Sequence, residues 1–323
     1  MNKQIIRYLL IFIAIGMLLA YLLKGRTPFG NSNSSFAVNP EVEITRIDFF
    51  HGDKRLSIEK SGENWLLNKK EKARKSAVLF VLRTLREMKI KSPVSAEIFD
   101  TEIIKKQVDP VKVNVYEKRK LVKSFFVYKT DSNIYGNIMK MKPSSKPFIV
   151  YIPGYENNIG THFIVNDLFW EPYMVFNLLP SQIASVKLEI IKDSASSFII
   201  ISNKKEFTLT FFKKDISGWD TSKVKRYLTY FTAIPFETWA FDLPENEKKS
   251  IESGPPIYRI SVKQSTGEEI ILTVWEKWNT AGGFKKADTD RVWAKTNLRD
   301  EIFIMRYFDL DPVLKKRTYF FTD

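Results

Sequence analysis

The chain has 323 residues, of which 44% are hydrophobic and 14% aromatic, enough to build about two domains of roughly 150 residues each. Its formal net charge is +14, which favours negatively charged partners over positively charged ones. Because it contains no cysteine, disulfide frameworks, thiolate nucleophiles and cysteine-ligated zinc or iron–sulfur sites are excluded.

The first element is an apolar run close to the N-terminus. Sixteen uncharged residues extend from Tyr8 to Leu23, and the whole apolar span covers residues 5–23, close to the roughly 20 residues that cross a bilayer. The small-residue pattern that marks a secretory cleavage site does not follow it. We therefore predict that residues 1–26 are an uncleaved membrane anchor, with a cleaved secretory signal as the less favoured alternative.

The charges that flank this run predict its orientation. Lys3, Arg7 and the terminal amine lie before it, and Lys24 and Arg26 lie after it, so the positive-inside rule favours a cytoplasmic N-terminus by one charge. Residues 27–40 have the composition of a flexible linker. The predicted location is therefore the cytoplasmic (inner) membrane, with a single span and with the bulk of the chain in the periplasm.

The hydrophobic pattern of residues 41–180 predicts a first module of strands and helices. The runs "EVEITRIDFF", "KRLSIEK" and "ENWLLNK" are rich in β-branched and aromatic residues and are separated by Gly52 and Gly62, which is typical of a three-stranded meander. In "KEKARKSAVLFVLRTLREMKI" the apolar residues recur at spacings of three and four, which predicts a helix. Strands are expected in "VKVNVYEK", "LVKSFFVYK" and "KPFIVYIP", and a second helix in "NDLFWEPYMVFNLL".

A second module, residues 181–323, repeats this order of elements. Strands in "ASVKLEII", "SSFIIIS" and "KEFTLTFF" precede a helix in "DTSKVKRYLTYFTAI", and four further strands follow. The pair Phe99-Asp100 recurs as Phe241-Asp242. We therefore predict an α+β fold in which an N-terminal transmembrane helix precedes two tandem, sequence-related α+β modules with mainly antiparallel sheets. Two unrelated segments that share an order by chance are the alternative.

Three segments carry a resemblance to a known family. They are "ITRIDFFHGDKRLSIEKSGENWLLN", "AVLFVLRTLREMKIKSPV" and "FIVYIPGYENNIGTHFIVNDLFWEPYMVFNLLPSQIASVKLEI". Together with the N-terminal run they resemble the DUF4340 family of membrane-anchored bacterial proteins of unknown function, over most of residues 41–240. The chain departs from the family at residues 107–110, QVDP, where members often have a Gly-Leu-Asp-x-Pro-like turn. Similar proteins are commonly encoded beside ABC-type transport systems of the gliding-motility kind, so the resemblance implies an accessory or scaffolding subunit of such an envelope system.

The sequence shows no constellation of catalytic residues. His51 and His162 are more than a hundred residues apart, and no H-E-x-x-H, G-x-S-x-G or Walker A pattern occurs. Two acidic pairs have the composition of a glycosidase site: Asp100 with Glu102, and Glu41 with Glu43. Because such pairs are usually solvated surface residues, we predict a non-enzymatic protein without catalytic residues, cofactor or metal. A hydrolase with an unrecognised site is the less favoured alternative.

The candidate site is a basic patch. It consists of Lys69, Lys70, Lys72, Arg74 and Lys75. Such a cluster attracts anionic partners, although lysines on the solvent face of an amphipathic helix are the alternative interpretation. Besides the membrane that residues 5–23 would cross, we expect a membrane-protein partner and anionic lipid, and no nucleic acid. A lipid- or glycan-binding envelope protein is the alternative function.

Overall fold

The computed structural model describes Phe12, Gly16, Met17 and residues 35–130, 137–155, 162–203, 206–212, 214–281 and 284–321. These residues belong to two compact units that divide between Pro172 and Tyr173, which we call the first and the second module. Each module is built on one sheet of nine strands, and every pair of neighbouring strands in both sheets is antiparallel.

The first module contains strands β1 to β9 and three helices. The strands are β1 (Arg46–His51), β2 (Lys54–Ser61), β3 (Asn64–Leu67), β4 (Glu71–Lys72), β5 (Lys89–Pro93), β6 (Val111–Glu117), β7 (Lys120–Tyr128), β8 (Asn137–Lys140) and β9 (Phe148–Tyr151). The helices are α1 (Lys75–Glu87), α2 (Ala96–Phe99), which continues into a π-helical turn at Asp100–Ile104, and α3 (Asp167–Trp170). The sheet order is β4-β3-β2-β1-β6-β7-β8-β9-β5, so β5 crosses to the far edge and pairs with β9.

The core of the first module lies between α1 and one face of the sheet. Alternate residues of β1, such as Ile47 and Phe49, point into this core and are fully buried. On α1, Val81 and Leu85 lie four residues apart on the face that packs against the sheet. Trp170, at the end of α3, is also fully buried, and its ring stacks on that of Phe49 at a centroid distance of 5.3 Å.

The second module contains strands β10 to β20 and three helices. The strands are β10 (Met174–Phe176), β11 (Ile183–Ile190), β12 (Phe198–Asn203), β13 (Glu206–Phe211), β14 (Lys214–Asp215), β15 (Ile234–Pro235), β16 (Thr238–Trp239), β17 (Tyr258–Gln264), β18 (Glu269–Ala281), β19 (Phe284–Thr296) and β20 (Phe303–Arg306). The helices are α4 (Thr221–Thr229), α5 (Glu245–Ser253) and α6 (Tyr307–Leu310). The sheet order is β14-β13-β12-β11-β17-β18-β19-β20-β16, and β10 pairs separately with β15.

The two sheets have the same strand order. Strands β1 to β4 correspond to β11 to β14, β6 to β9 correspond to β17 to β20, and the crossover strand β5 corresponds to β16. In both modules the first long helix, α1 or α4, directly follows the fourth strand of this series. This is the order that the repeat in the sequence requires.

The predicted α+β fold class was wrong, because it expected more helical structure than the modules contain. The described residues contain twenty strands but only three α-helices of more than four residues, so the modules are predominantly antiparallel β structures. The predicted second helix is a single turn at Asp167–Trp170, because Pro172 cannot continue a helix, and the next residues form β10. Similarly, α1 stops at Glu87, and the rest of that amphipathic run forms β5.

The predicted N-terminal transmembrane helix is also corrected. Among the described residues, no helix combines the length and the apolar composition that are needed to cross a membrane. Of the predicted span 5–23, the described residues are Phe12, Gly16 and Met17, and the remainder lies outside them.

Candidate functional site

The structure brings four of the five predicted patch residues together on the surface. Lys69 and Lys70 are exposed in the turn between β3 and β4, Lys72 is exposed in β4, and Lys75 is the exposed first residue of α1. Arg74 differs from them, because its side chain is half-buried and holds α3. Its Nε and Nη2 donate to the carbonyl oxygen of residue 169 at 3.2 and 2.7 Å.

The position of these lysines at a sheet edge gives them a structural role. β4 is the edge strand of the first sheet, and it is only two residues long. Short edge strands with lysine side chains resist pairing with strands of other molecules. The equivalent edge strand of the second sheet, β14, begins with Lys214 and is equally short. Binding of an anionic partner by the patch stays a prediction.

The other residues singled out in the sequence are engaged in ordinary contacts. The exposed His51 has its Nδ1 3.4 Å from the carbonyl oxygen of Pro110. His162 is buried, and burial lowers its pKa to about 4, so its ring is neutral at pH 7. Glu43 and Glu102 form ion pairs with lysines. Across the described ranges, no three His, Asp or Glu residues are grouped so that they could hold a metal ion.

A groove on the second module is a candidate site in the described part of the chain. It has a volume of about 340 Å³ and lies on the sheet face opposite the core, over the ends of β11, β12 and β13. The lining residues include Lys187, Glu189, Ile191, Ile199, Thr210 and Phe212, together with residues of the segment between β11 and β12 such as Ser194 and Ser197. Ligand pockets in proteins begin at about 300 Å³, so the groove is large enough for a small molecule or a single chain.

Strand pairing explains why this face has an apolar floor. Ile199 of β12 lies directly opposite Lys187 of β11 and Thr210 of β13. Its neighbours in β12, Phe198 and Ile200, point into the core and are buried. Because successive side chains of a strand alternate between the two faces, an unbroken apolar run from Phe198 to Ile201 must place isoleucines on the outer face as well. The groove is built on that outer surface.

Phe212 forms one wall of the groove in an unfavourable conformation. Its φ angle is +45°, in the left-handed region that bulky residues seldom adopt, and its side chain is 73% exposed. The ring lies 4.2 Å from that of Phe211, measured between centroids, and the Arg317 guanidinium covers Phe211 at 3.9 Å. Phe212 lies in the turn between β13 and β14, and tight hairpin turns require positive φ angles. Asn68 and Lys69, in the equivalent turn of the first module, also have positive φ angles.

The first module closes the equivalent face with polar side chains. Asp48, between the buried Ile47 and Phe49, corresponds to Lys187, and its cross-strand partner Ser57 corresponds to Ile199. The Asp48 carboxylate is 1% exposed, accepts a hydrogen bond of 2.7 Å from Ser57 Oγ and lies 3.2 Å from Arg55 Nη2. This cluster leaves no apolar floor at the position where the second module has its groove.

Three polar side chains around the groove have partners within the protein. Lys187 Nζ lies 2.8 Å from Glu189 Oε1, and Ser197 Oγ accepts a hydrogen bond of 3.0 Å from the backbone N–H of Ile190. The surface that remains for a ligand is therefore mainly hydrocarbon. Such a surface binds through burial of apolar area.

The sequence contains a pattern that indicates this groove. Alternation of apolar and polar residues is typical of a strand with one solvated face, whereas "FIII" at residues 198–201 breaks the alternation. Such a run predicts that both faces of the strand are apolar. The Phe211-Phe212 pair adds a second apolar residue beyond the end of the next strand. Comparisons of the chain with protein-family models, with characterised proteins and with solved structures found no match.

Proposed function

We propose that this protein is a non-enzymatic binding protein that holds an aliphatic chain, such as the acyl chain of a lipid, in the groove of its second module. The observation that carries the proposal is Phe212, which is both strained and largely exposed at the wall of an apolar groove. A ligand that covers the exposed ring removes its apolar surface from water, although it leaves the φ angle unchanged. Burial of a phenylalanine or isoleucine side chain is worth about 1.5–3 kcal/mol relative to full exposure.

The size and lining of the groove favour a single chain over a sugar. At the roughly 30 Å³ that one water molecule occupies in the liquid, a volume of about 340 Å³ holds on the order of ten groups of that size. A glycan needs many hydrogen-bonding groups, whereas the ionic groups Lys187 and Glu189 already pair with each other. Isoleucines and one phenylalanine match the chemistry of methylene groups.

The proposal is tested by titration of the full chain with a fluorescent fatty acid. Ile199→Ser gives the second module the residue that the first module has at the same place, and it should weaken binding about tenfold, or about 1.4 kcal/mol. Phe212→Gly should weaken binding to a similar degree. Because glycine adopts the left-handed region readily, this second variant should be no less stable than the wild type.

A matched control is available on the same module. Leu298 is 60% exposed and lies outside the groove, so Leu298→Ser should leave the affinity unchanged. Saturable binding that is equal in the wild type and in both groove variants would show that the fatty acid binds elsewhere. Absence of saturable binding in the wild type would remove the proposal altogether.

The role of an accessory subunit in an ABC-type transport or gliding-motility-like system rests on the family resemblance alone and stays a prediction. The location at the cytoplasmic membrane also stays a prediction. Both predictions concern the location and the partner of the protein. The groove supports only the proposal about the kind of ligand that the protein binds.

A further inference from the structure

One row of side chains crosses the first sheet from strand to strand. Phe50 of β1 lies opposite Arg55 of β2 on one side and opposite Lys112 of β6 on the other. Lys112 in turn pairs with Phe126 of β7, and Phe126 pairs with Lys140 of β8. We call these five side chains, on five adjacent strands, the ladder. Cations and aromatic rings alternate along it.

The ladder lies on the outer face of the sheet. The residues next to its members along the chain, such as Phe49 and Val113, are buried in the core on the other face. Arg55 and Lys112 are exposed, and the other three members are half-buried. Because neighbouring strands lie about 4.8 Å apart, the ladder spans about 19 Å. It is therefore a continuous strip that solvent reaches.

Aromatic rings hold the cations of the ladder in place. The guanidinium carbon of Arg55 lies 5.3 Å from the centre of the Phe50 ring, and Lys112 Nζ lies 6.0 Å from the centre of the next ring in the ladder. At the last rung, Lys140 Nζ lies 4.9 Å from the ring of Phe99 in α2. Cations within about 6 Å of a ring are attracted to its negative face. The positive charges are thus presented two strands, or about 10 Å, apart.

The carboxylates beside the ladder are already paired. On the outer face of β1 and β2 they are Asp48 and Glu59. The buried Asp48 carboxylate lies 3.2 Å from Arg55 and 3.4 Å from Arg46, so two guanidinium groups share one negative charge. Glu59 lies 3.9 Å from Lys69. This part of the face therefore keeps a surplus of positive charge.

The two lysines of the ladder have no such counter-charge. Across the ranges that the structure describes, no carboxylate lies within ion-pair distance of Lys112 or Lys140. Partial burial of Lys140 lowers its pKa, because the charged form loses hydration. An anionic group bound beside Lys140 would favour the charged form again. The ladder thus has room for an anion at two positions that are two strands apart.

The second module does not have this alternation. At the equivalent positions Glu189 of β11 pairs with Arg259 of β17, Arg259 with Thr273 of β18, and Thr273 with Lys295 of β19. A carboxylate and a threonine thus replace the two rings, and Lys295 forms a 2.8 Å ion pair with Glu252. The ladder is therefore a property of the first module and does not follow from the strand order that both sheets share.

We propose that the ladder binds a linear anionic glycan in which acidic and neutral sugars alternate. One sugar ring advances such a chain by close to the separation of two neighbouring strands. The carboxylates of the acidic sugars then recur at the spacing of Lys112 and Lys140, and the neutral sugars lie against the rings of Phe50 and Phe126. The C–H groups on the face of a sugar carry partial positive charge, which matches the negative face of an aromatic ring.

Spacing and shape favour this glycan over other anionic partners. A nucleic acid strand carries a phosphate on every nucleotide, about 3.4 Å apart along a stacked strand, so its charges recur too often for cations that are two strands apart. A bilayer surface takes up apolar side chains that enter it, whereas the rings of the ladder are half-buried between charged neighbours. A strip about 19 Å long suits a polymer that lies across the strands.

The test is calorimetric titration of the full chain with a hyaluronan hexasaccharide, in which glucuronate and N-acetylglucosamine alternate. We expect saturable binding at low salt that weakens strongly at about 1 M salt, where the Debye length is about 3 Å. Chitohexaose, which has the same length and no carboxylate, should bind at least tenfold more weakly. A thymidine oligonucleotide of similar length should also bind more weakly than the hexasaccharide.

Single substitutions locate the contact. Lys112→Gln removes the central, exposed cation and should weaken binding of the hexasaccharide at least tenfold. Phe50→Leu keeps an apolar side chain but removes the ring, and should weaken binding about fivefold. The matched control is Arg259→Gln, at the position of Lys112 in the second module, which should leave the affinity unchanged. Because Lys112 and Arg259 are both exposed, we expect these two variants to melt at the temperature of the wild type.

Four outcomes would overturn the proposal. They are absence of saturable binding of the hexasaccharide, equal affinity for chitohexaose, and an equal loss of affinity in Lys112→Gln and Arg259→Gln, which would show a general charge effect. The fourth is tighter binding of the oligonucleotide that Lys112→Gln removes, because it would assign the ladder to nucleic acid. The ladder is separate from the groove, so failure of the fatty-acid titration would leave this proposal standing.

Discussion

Ser57 and Ile199 occupy the same place in the two modules, in the second strand of each meander and opposite the middle of the first. In the first module the serine hydroxyl donates to the buried Asp48, and a charged cluster covers the sheet. In the second module the isoleucine leaves a hydrocarbon floor. A difference in side-chain chemistry at equivalent positions therefore decides whether the outer face is closed or open to an aliphatic ligand.

His162 should make the stability of the first module depend on pH. Its pKa is lowered by burial to about 4, below the value of about 6.5 in an unfolded chain. Between pH 6.5 and pH 4 the unfolded chain therefore binds more protons than the folded one, and the free energy of unfolding falls as the pH falls. The loss over this window is at most about 3 kcal/mol.

The measurement is urea unfolding of the wild type and of His162→Gln at pH 7 and near pH 4.5. The variant keeps a polar side chain beside Thr84, whose Oγ1 lies 2.8 Å from His162 Nδ1, but it cannot titrate. We expect the variant to lose less stability than the wild type on acidification. An equal loss in both proteins would mean that other groups account for the acid sensitivity.

At the scale of elements, Arg74 should behave differently from the lysines beside it. Arg74→Ala removes two hydrogen bonds to the residue 169 carbonyl, so it should lower the free energy of unfolding by about 1–3 kcal/mol. Lys72→Ala is the matched control on an exposed edge strand and should change it by less than about 0.5 kcal/mol. Chemical denaturation of the two variants gives this comparison, and equal effects would show that the contact with α3 contributes little.

Strands that are separated by turn residues could be predicted from the sequence, whereas the shortest strands could not. β1, β2 and β3 are separated by Gly52 and Gly62, whose positive φ angles of 55° and 59° form the two turns. Strands such as β4 and β14 have two residues each, too few for an alternating pattern to be visible. The role of Arg74 was not predictable, because its partner lies 95 residues away in the chain.

At the scale of the whole molecule, residues 173–323 should fold without the first module. All nine strands of the second sheet come from this stretch, so it contains a complete core. We expect a cooperative thermal transition and native-like circular dichroism. A chain that ends at residue 308 should fail to fold, because it lacks Leu310, Val313 and Phe320, which are fully buried. A non-cooperative transition for 173–323 would show that the second module needs the first.

The two sheets share one strand order, and most of these strands could be predicted because their order is visible in the hydrophobic pattern. The groove was not predicted, because its shape depends on three strands that meet in space and on the backbone conformation at Phe212. Hydrophobic periodicity gives the number and order of strands, but the burial of a polar network such as that of Asp48 depends on neighbours that only the folded sheet brings together.

The crossover of β5 and β16 to the far edge of each sheet has a consequence during synthesis. Each of these strands is the fifth of nine to be made, but its partner, β9 or β20, is the last strand of the same sheet. A sheet of this order closes only when its final strand has been made. Roughly 150 residues separate β9 from β20, which at 5–20 residues per second corresponds to about 8–30 s. Translation therefore gives the first sheet time to close before a second set of strands, with the same order, is available for exchange with it.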